Sequence, residues 1–226
     1  LMKKKTEERI ARIVINSPDA KFNQIFNRWI PQLIEYGVTH CRWGAFGFRD
    51  IVQQSQGAAL CGSTAKTRTK LEQAFAHQYT SGYAVRSYPA VHSDSNMKYA
   101  DSAFWLISAV MEYLKETGDF AFLDQVIPYM GGAKEGTVWE HLDLAIEALG
   151  REKGEHGLCL IYEGDWNDSM THVGRNGKGE SVMLSESFAY ACLLMEELAL
   201  YLKKTDAAAK YRTEYEKMKE NLNTYC

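Results

Sequence analysis

Residues 163 to 169 read Glu163-Gly164-Asp165-Trp166-Asn167-Asp168-Ser169, which brings carboxylates, an amide and an indole close together. A carboxyl group beside an indole is partly desolvated, so its acid form is favoured and it can hold a proton near neutral pH. Such a group suits a general acid that protonates a departing oxygen. The bland alternative is that Asp165 or Asp168 caps a turn, and composition alone does not decide between them. A calcium loop of the D-x-N-x-S type is excluded, because Met170 stands at its sixth position and Asn176 at its twelfth. A phosphate loop over 172–179 is excluded too, because His172 takes the place of the first Gly and Gly179 that of Ser or Thr.

A second stretch, Arg42-Trp43-Gly44-Ala45-Phe46-Gly47-Phe48-Arg49-Asp50, sets two arginines and an aspartate in a glycine and aromatic loop. Asp50 can accept bonds from two sugar hydroxyls, and the planar fork of Arg49 suits phosphate. The alternative here is a local Arg–Asp ion pair with Asp50 as a helix N-cap.

The elements that must position these stretches are helical. Residues 101–117 show a broad apolar face (Phe104, Trp105, Ile107, Met111, Leu114), with Asp101 available as N-cap and Gly118 as stop. Residues 136–149 repeat the pattern, with Gly150 as terminator. Residues 184–204 are apolar on most sides, which predicts an inner helix, and 206–222 predict a charged outer one. Further helices are predicted near 4–16, 22–35, 50–61, 64–79 and 120–130, with Pro31 kinking the second or lying in its first turn. No segment has convincing strand periodicity. The loops at 40–49, 80–100 and 160–183 carry most of the chemically versatile residues, as expected where a scaffold presents function.

A hydrophobic share of 46% and a charged share of 24% over 226 residues exclude disorder and allow one sizeable core. The net charge of −3 gives no field that favours nucleic acid or anionic lipid, so neither is expected as a partner. The run from Phe104 to Met111 is too short to cross a bilayer. Five scattered cysteines without a CxxC pair argue against disulfides and zinc and fit a cytoplasmic setting. The histidines form no HxxxH or HxH pair, so no metal is expected; His92 with Asp94 could reach a bound sugar. Thirteen tyrosines, nine phenylalanines and five tryptophans read either as core or as sugar-stacking platforms.

Taken in order, the motifs resemble those of glycoside hydrolase family 94, the cellobiose/chitobiose-type inverting phosphorylases. Gly47-Phe48-Arg49-Asp50 with Gln53 resembles G-[FY]-R-D-x-x-Q, and Tyr99 to Leu106 resembles Y-S-D-D-x-x-W-L. Glu116-Thr117-Gly118-Asp119 resembles E-T-G-D, and Gly157-Leu158 with Gly164 to Asp168 resembles G-L…G-D-W-N-D. Gly177-Lys178-Gly179-Glu180-Ser181-Val182 resembles G-x-G-E-S-V. Gln54 and Met183 depart from the usual Asp and Trp, which bears on substrate more than on reaction.

The resemblance implies an all-α fold of the (α/α)6-barrel type and phosphorolysis of a β-linked disaccharide or oligosaccharide to a sugar 1-phosphate. Asp168 would be the general acid. Asp50, Trp166, Asn167 and Arg42 would contact sugar, and Arg49 would contact phosphate. Inorganic phosphate would be co-substrate, with no cofactor and no metal. An inverting phosphorylase needs one acid and an anion clamp, whereas an inverting hydrolase needs a second carboxylate roughly 6.5–9.5 Å away.

Twelve barrel helices need roughly 350 residues, so the expectation for residues 1–226 is an incomplete barrel. The family's N-terminal β-sandwich and the C-terminal part of the barrel would be absent, and a homo-oligomer or a complementing chain would be the macromolecular partner. Two other readings stay open. One is a non-catalytic helical remnant that binds glycan or packs against a partner; the other is an inverting hydrolase with Glu180 as the second carboxylate.

Overall fold

The computed structural model describes residues 13–40, 46–88, 99–170 and 172–226, and these are mainly helical. Helix α1 (Ala20–Gln24) runs through a π-helical turn (Ile25–Trp29) into α2 (Ile30–His40). Pro31 cannot donate to the carbonyl one turn back, and the widened turn falls immediately before it. Then come β1 (Phe46–Gly47), α3 (Phe48–Leu60), α4 (Thr64–Phe75), β2 (Ser87–Tyr88) and α5 (Ser102–Thr117). A 3-10 turn (Phe120–Asp124) leads to β3 (Val126–Pro128), β4 (Glu135–Thr137) and α6 (Val138–Arg151). After a second 3-10 turn (Asp168–Met170), α7 (Val182–Tyr201) and α8 (Thr205–Tyr225) complete the described chain.

The all-α expectation holds, and α5 lies at its centre. Ala103, Leu106, Ile107, Ala109 and Val110 of α5 are fully buried, and the helix packs on α3, α4, α6 and α7. Gly118 ends it in the left-handed region at φ 66°, with its N–H on the Leu114 carbonyl at 2.8 Å, a conformation that costs glycine little. Helix α7 is the inner helix expected, since Leu184, Phe188, Cys192, Met195 and Leu198 are all buried. Its partner α8 is the amphipathic outer helix, buried only at Ala208, Tyr211 and Met218. Each fully buried Leu, Ile or Phe contributes roughly 1.5–3 kcal/mol, which makes this helical floor a stiff support for the loops it carries.

Several expectations are corrected. Two short antiparallel pairs occur where no strand was predicted, β1 with β2 and β3 with β4. The helix expected over 120–130 is a 3-10 turn followed by β3, which β4 pairs residue for residue. Gly150 does not terminate α6, which continues to Arg151. A Cβ at 150 would lie 3.0 Å from the Phe188 ring, a tight contact that glycine avoids. The other end of α6 carries a capping box, with Thr137 N–H on Glu140 Oε2 at 2.7 Å and Glu140 N–H on Thr137 Oγ1 at 3.2 Å. Residues 4–12 of the first expected helix lie outside the described residues, and 13–16 are not helical. The helix expected over 64–79 stops at Phe75, where residues 77 and 78 turn to pair with 84 and 85. Among the described residues no helix is long and apolar enough to cross a membrane.

Candidate active site

Three helix starts meet the 163–168 loop. Gly47 occupies the N-cap position of α3, Asp101 that of α5 and Ser181 that of α7. Tyr99 forms a parallel bridge with Gly164, and Ala100 N–H donates to the Gly164 carbonyl at 3.0 Å. On the far side, Ile161 N–H donates to the Gly179 carbonyl at 2.9 Å, and Leu160 bridges Glu180. Gly174 lies against Ile161 and Tyr162, where a Cβ would fall 2.9 Å from the Tyr162 nitrogen. The glycines of this stretch therefore allow backbone to approach backbone.

Asp165 and Ser181 lock the loop to α7. Ser181 Oγ donates to Asp165 Oδ2 at 2.6 Å and accepts from Leu184 N–H at 3.0 Å, capping the helix. The other Asp165 oxygen accepts Asn167 N–H at 2.8 Å. Asp165 is buried and shapes the loop, so the turn-capping alternative describes it. Asp168, in contrast, is exposed and meets Arg49 from a segment 119 residues away.

Arg49 joins all three segments. Its Nη2 donates to Asp168 Oδ1 at 2.6 Å, while Nη1 donates to the Asp165 carbonyl at 2.9 Å and to Asp101 Oδ2 at 3.3 Å. Asp101 also accepts the Trp105 indole N–H at 2.9 Å. Burial raises the Asp101 carboxyl above the usual range, against the opposing pull of the indole N–H and the Arg49 charge. Arg49 lies above its ordinary value: burial works against its charge, but the bond to Asp168 and the charges of Asp101 and Asp168 outweigh that.

The structure thus brings together Arg49, Asp168, Trp166 and Asn167, which sequence singled out. The desolvation expected for Asp168 is a correction. Its side chain is 73% exposed and Trp166 is 53% exposed, so the indole does not enclose the carboxyl. Asn167 is also exposed, and its Oδ1 accepts Ser169 Oγ at 2.6 Å. Asp50 lies in the first turn of α3, half-buried, with its carboxylate folded against Gly47. Gly47, not Asp50, holds the cap position, and Arg49 pairs with Asp101 and Asp168; a pairing of Asp50 with Arg42 falls outside the described residues. Arg42, His92 and Asp94 lie outside the described residues.

Glu180 is engaged at the 156–158 turn. Its carboxylate accepts His156 N–H at 3.0 Å, His156 Nδ1 at 2.7 Å and Leu158 N–H at 3.1 Å, which makes it an anchor of the 156–158 turn. Among the described residues, no three His, Cys, Asp or Glu side chains gather as a metal site. Sequence reasoning missed the role of Asp101, which does not cap α5 through its side chain but holds Arg49. The signal was present in the spacing. Asp101 and Trp105 are four residues apart at a helix start, where their side chains meet.

A helical scaffold that presents an exposed carboxylate against an arginine matches a known class. The model of the Glycosyl hydrolase 94 superfamily, catalytic domain, matches residues 6–226, and the chain belongs to this family. It is 38% identical over 188 residues to solabiose phosphorylase of Paenibacillus borealis, covering 83% of this chain and 24% of that protein. It is 26% identical to N,N'-diacetylchitobiose phosphorylase of Vibrio furnissii, covering 99% of this chain and 32% of the relative. It is also 30% identical to the cyclic beta-(1,2)-glucan synthase NdvB of Rhizobium meliloti, over 76% of this chain and 7% of the synthase. The chain therefore spans 24% of the length of solabiose phosphorylase, 32% of that of the chitobiose phosphorylase and 7% of that of the synthase.

Proposed function

We propose that this chain carries the acid-bearing part of the catalytic site of an inverting β-glycoside phosphorylase. The observation that supports it is the pairing of Arg49 Nη2 with Asp168 Oδ1 at 2.6 Å across 119 residues of sequence. It joins the one proton donor and the anion fork that the reaction needs. Hydrogen phosphate, held by Arg49, attacks the anomeric carbon from the face opposite the glycosidic bond. As the carbon–oxygen bond breaks, Asp168 passes its proton to the leaving oxygen, which departs as a free sugar hydroxyl. Inversion yields the sugar 1-phosphate, and the proton carried by phosphate restores the acid. No enzyme nucleophile and no separate base are used.

Asp50, Trp166, Asn167 and Arg42 are assigned to sugar. The exposed Trp166 indole offers an apolar face to a sugar ring, and Asp50 an acceptor for hydroxyls. A dianionic phosphate at Arg49 competes with Asp168 for the same fork, so substrate arrival frees the acid for its task. The substrates in view are a small β-linked sugar and inorganic phosphate, as the names of two relatives suggest.

The test is phosphate-dependent release of sugar 1-phosphate from a panel of β-linked disaccharides, with Asp168→Asn as control. Release that persists in the variant removes Asp168 from its role. Product that forms equally well without phosphate favours hydrolysis instead.

A further inference from the structure

The segment between α4 and α5 brings a second arginine to the end of the bundle where Arg49 lies. Ala84 N–H donates to Ser102 Oγ at 3.1 Å, at the start of α5. Two residues on, the Arg86 carbonyl accepts Phe48 N–H at 2.9 Å, at the start of α3 and next to Arg49. Ser87 then pairs with Gly47. Backbone contacts on both sides therefore fix where the Arg86 side chain begins.

That side chain is exposed, and its guanidinium carbon lies 4.6 Å from the centroid of the Tyr99 ring. Tyr99 belongs to the wall of the site, since it bridges Gly164 and stands two residues before the Arg49 partner Asp101. Its ring is buried, and its hydroxyl has no hydrogen-bond partner among the described residues. A buried hydroxyl left unpaired costs stability, so position 99 acts through its ring rather than its polar tip.

The two arginines differ in what they hold. Arg49 directs its donors to Asp101, Asp168 and the Asp165 carbonyl. Among the described residues, Arg86 meets no carboxylate and no hydrogen-bond acceptor through its side chain, only the tyrosine face. Contact with an aromatic face restrains a guanidinium without supplying an acceptor, so its planar donor fork stays open. The charge of Arg49 is already answered by two carboxylates before any substrate arrives. An arriving anion is met better by a neighbouring cation that has none.

We propose that Arg86 is a second oxyanion-binding residue of this site, with Tyr99 as its platform. The identity of the ligands rests on the proposed function, whereas oxyanion binding itself requires no turnover. The shared chemistry is a group with two oxygens in reach of one guanidinium fork. Inorganic phosphate and a carboxylate carried by the sugar both supply it, and the experiment separates them.

The wild-type chain is compared with Arg86→Gln and Arg86→Lys, and with Arg28→Gln, an exposed arginine of the π-helical turn, as a control for net charge. Calorimetric titration at constant ionic strength uses inorganic phosphate, glucuronate and glucose as probes. Arg86→Gln is expected to weaken phosphate or glucuronate by about 10- to 100-fold, the scale of a hydrogen bond to a charged group. Glucose should bind as before, and Arg28→Gln should weaken neither anion. Arg86→Lys keeps the charge without the planar fork and should fall between wild type and Arg86→Gln. If phosphate weakens, its KM should rise by a similar factor with kcat largely kept, as when binding is lost equally from ground and transition states. If glucuronate alone weakens, the site takes an acidic sugar.

Anion binding unchanged in Arg86→Gln overturns the proposal and leaves Arg86 as a cover for Tyr99. Equal weakening of all three probes overturns it as well, because a deformed site loses every ligand. So does a wild-type chain that binds neither anion. If Arg86 holds an oxyanion but the wild-type chain releases no sugar 1-phosphate, the function reading fails and the oxyanion site stands.

Discussion

Asp165 and Asp168 sit three residues apart on one loop, yet Asp165 is 2% exposed and the Asp168 side chain is 73% exposed. The floor of the site consists of Asp165, Ser181, Asp101 and Trp105. Its polar atoms are matched to partners on three helix starts, and it is built as a core is built. The tip consists of Trp166, Asn167 and Asp168, and it presents to solvent groups that a core would not tolerate unpaired. Stiffness and reactivity are therefore divided between neighbouring residues of the same chemical type. A carboxylate with two donors is a structural part. A carboxylate that stands largely in solvent beside an arginine is open to exchange with what arrives from solution.

This contrast can be broken most decisively at the tip. Asp168→Asn should lower phosphorolysis by about 10²–10⁴, the usual contribution of a positioned acid. Its unfolding free energy should change by no more than about 1 kcal/mol, because an exposed ion pair contributes little. Steady-state kinetics and denaturant unfolding read the two effects, and a large stability loss would mean that the tip is structural as well.

At the floor the order reverses. Asp101→Ala strips the Trp105 indole and Arg49 of a buried acceptor, and hydrogen bonds to charged groups contribute about 1.5–3 kcal/mol each. Chemical denaturation should show a loss of that size, with turnover reduced because Arg49 loses one of its three anchors. A variant as stable as the wild type would erase the distinction between floor and tip. Ser181→Ala is a milder probe. It removes an N-cap and one partner of Asp165, for an expected loss of about 1–2 kcal/mol in the same measurement.

The smallest effect lies away from the site and tests the core as such. His141 is buried between the Gln78 side chain, at 2.5 Å from Nδ1, and the Ile127 carbonyl, at 3.0 Å from Nε2. Burial lowers its pKa, opposed in part by the Ile127 carbonyl. The unfolded chain then binds a proton more readily than the folded one. Stability is full above the unfolded value of about 6.5 and falls as pH drops below it, by up to about 1.4 kcal/mol per pH unit until the folded group titrates. His141→Gln should flatten that part of the stability profile, and an unchanged acid slope would assign it to other groups.

Much of this was legible in the residues. Helices α5, α7 and α8 follow from apolar periodicity and from the glycine that ends α5, because such signals are local and repeated. The short strand pairs were not legible, because two- or three-residue strands have no period to read. Gly150 was misread as a stop because its surroundings include a ring on another helix, 38 positions away at Phe188, which no local pattern shows. Asp168 and Arg49 were visible as candidates from residue type and motif order. That they meet, with Asp101 beneath them, was not visible.

What the sequence by itself determined was the helical scaffold, the set of loops and the residue types able to move a proton or hold an anion. Only the tertiary structure decided which carboxylate is floor and which is tip. That choice depends on desolvation and on donors that reach Asp165 from Asn167 and Ser181 and Asp168 from Arg49, 119 residues away, and no local pattern encodes it. It also decided that Glu180 anchors a turn, since a carboxylate's role is set by the donors that surround it.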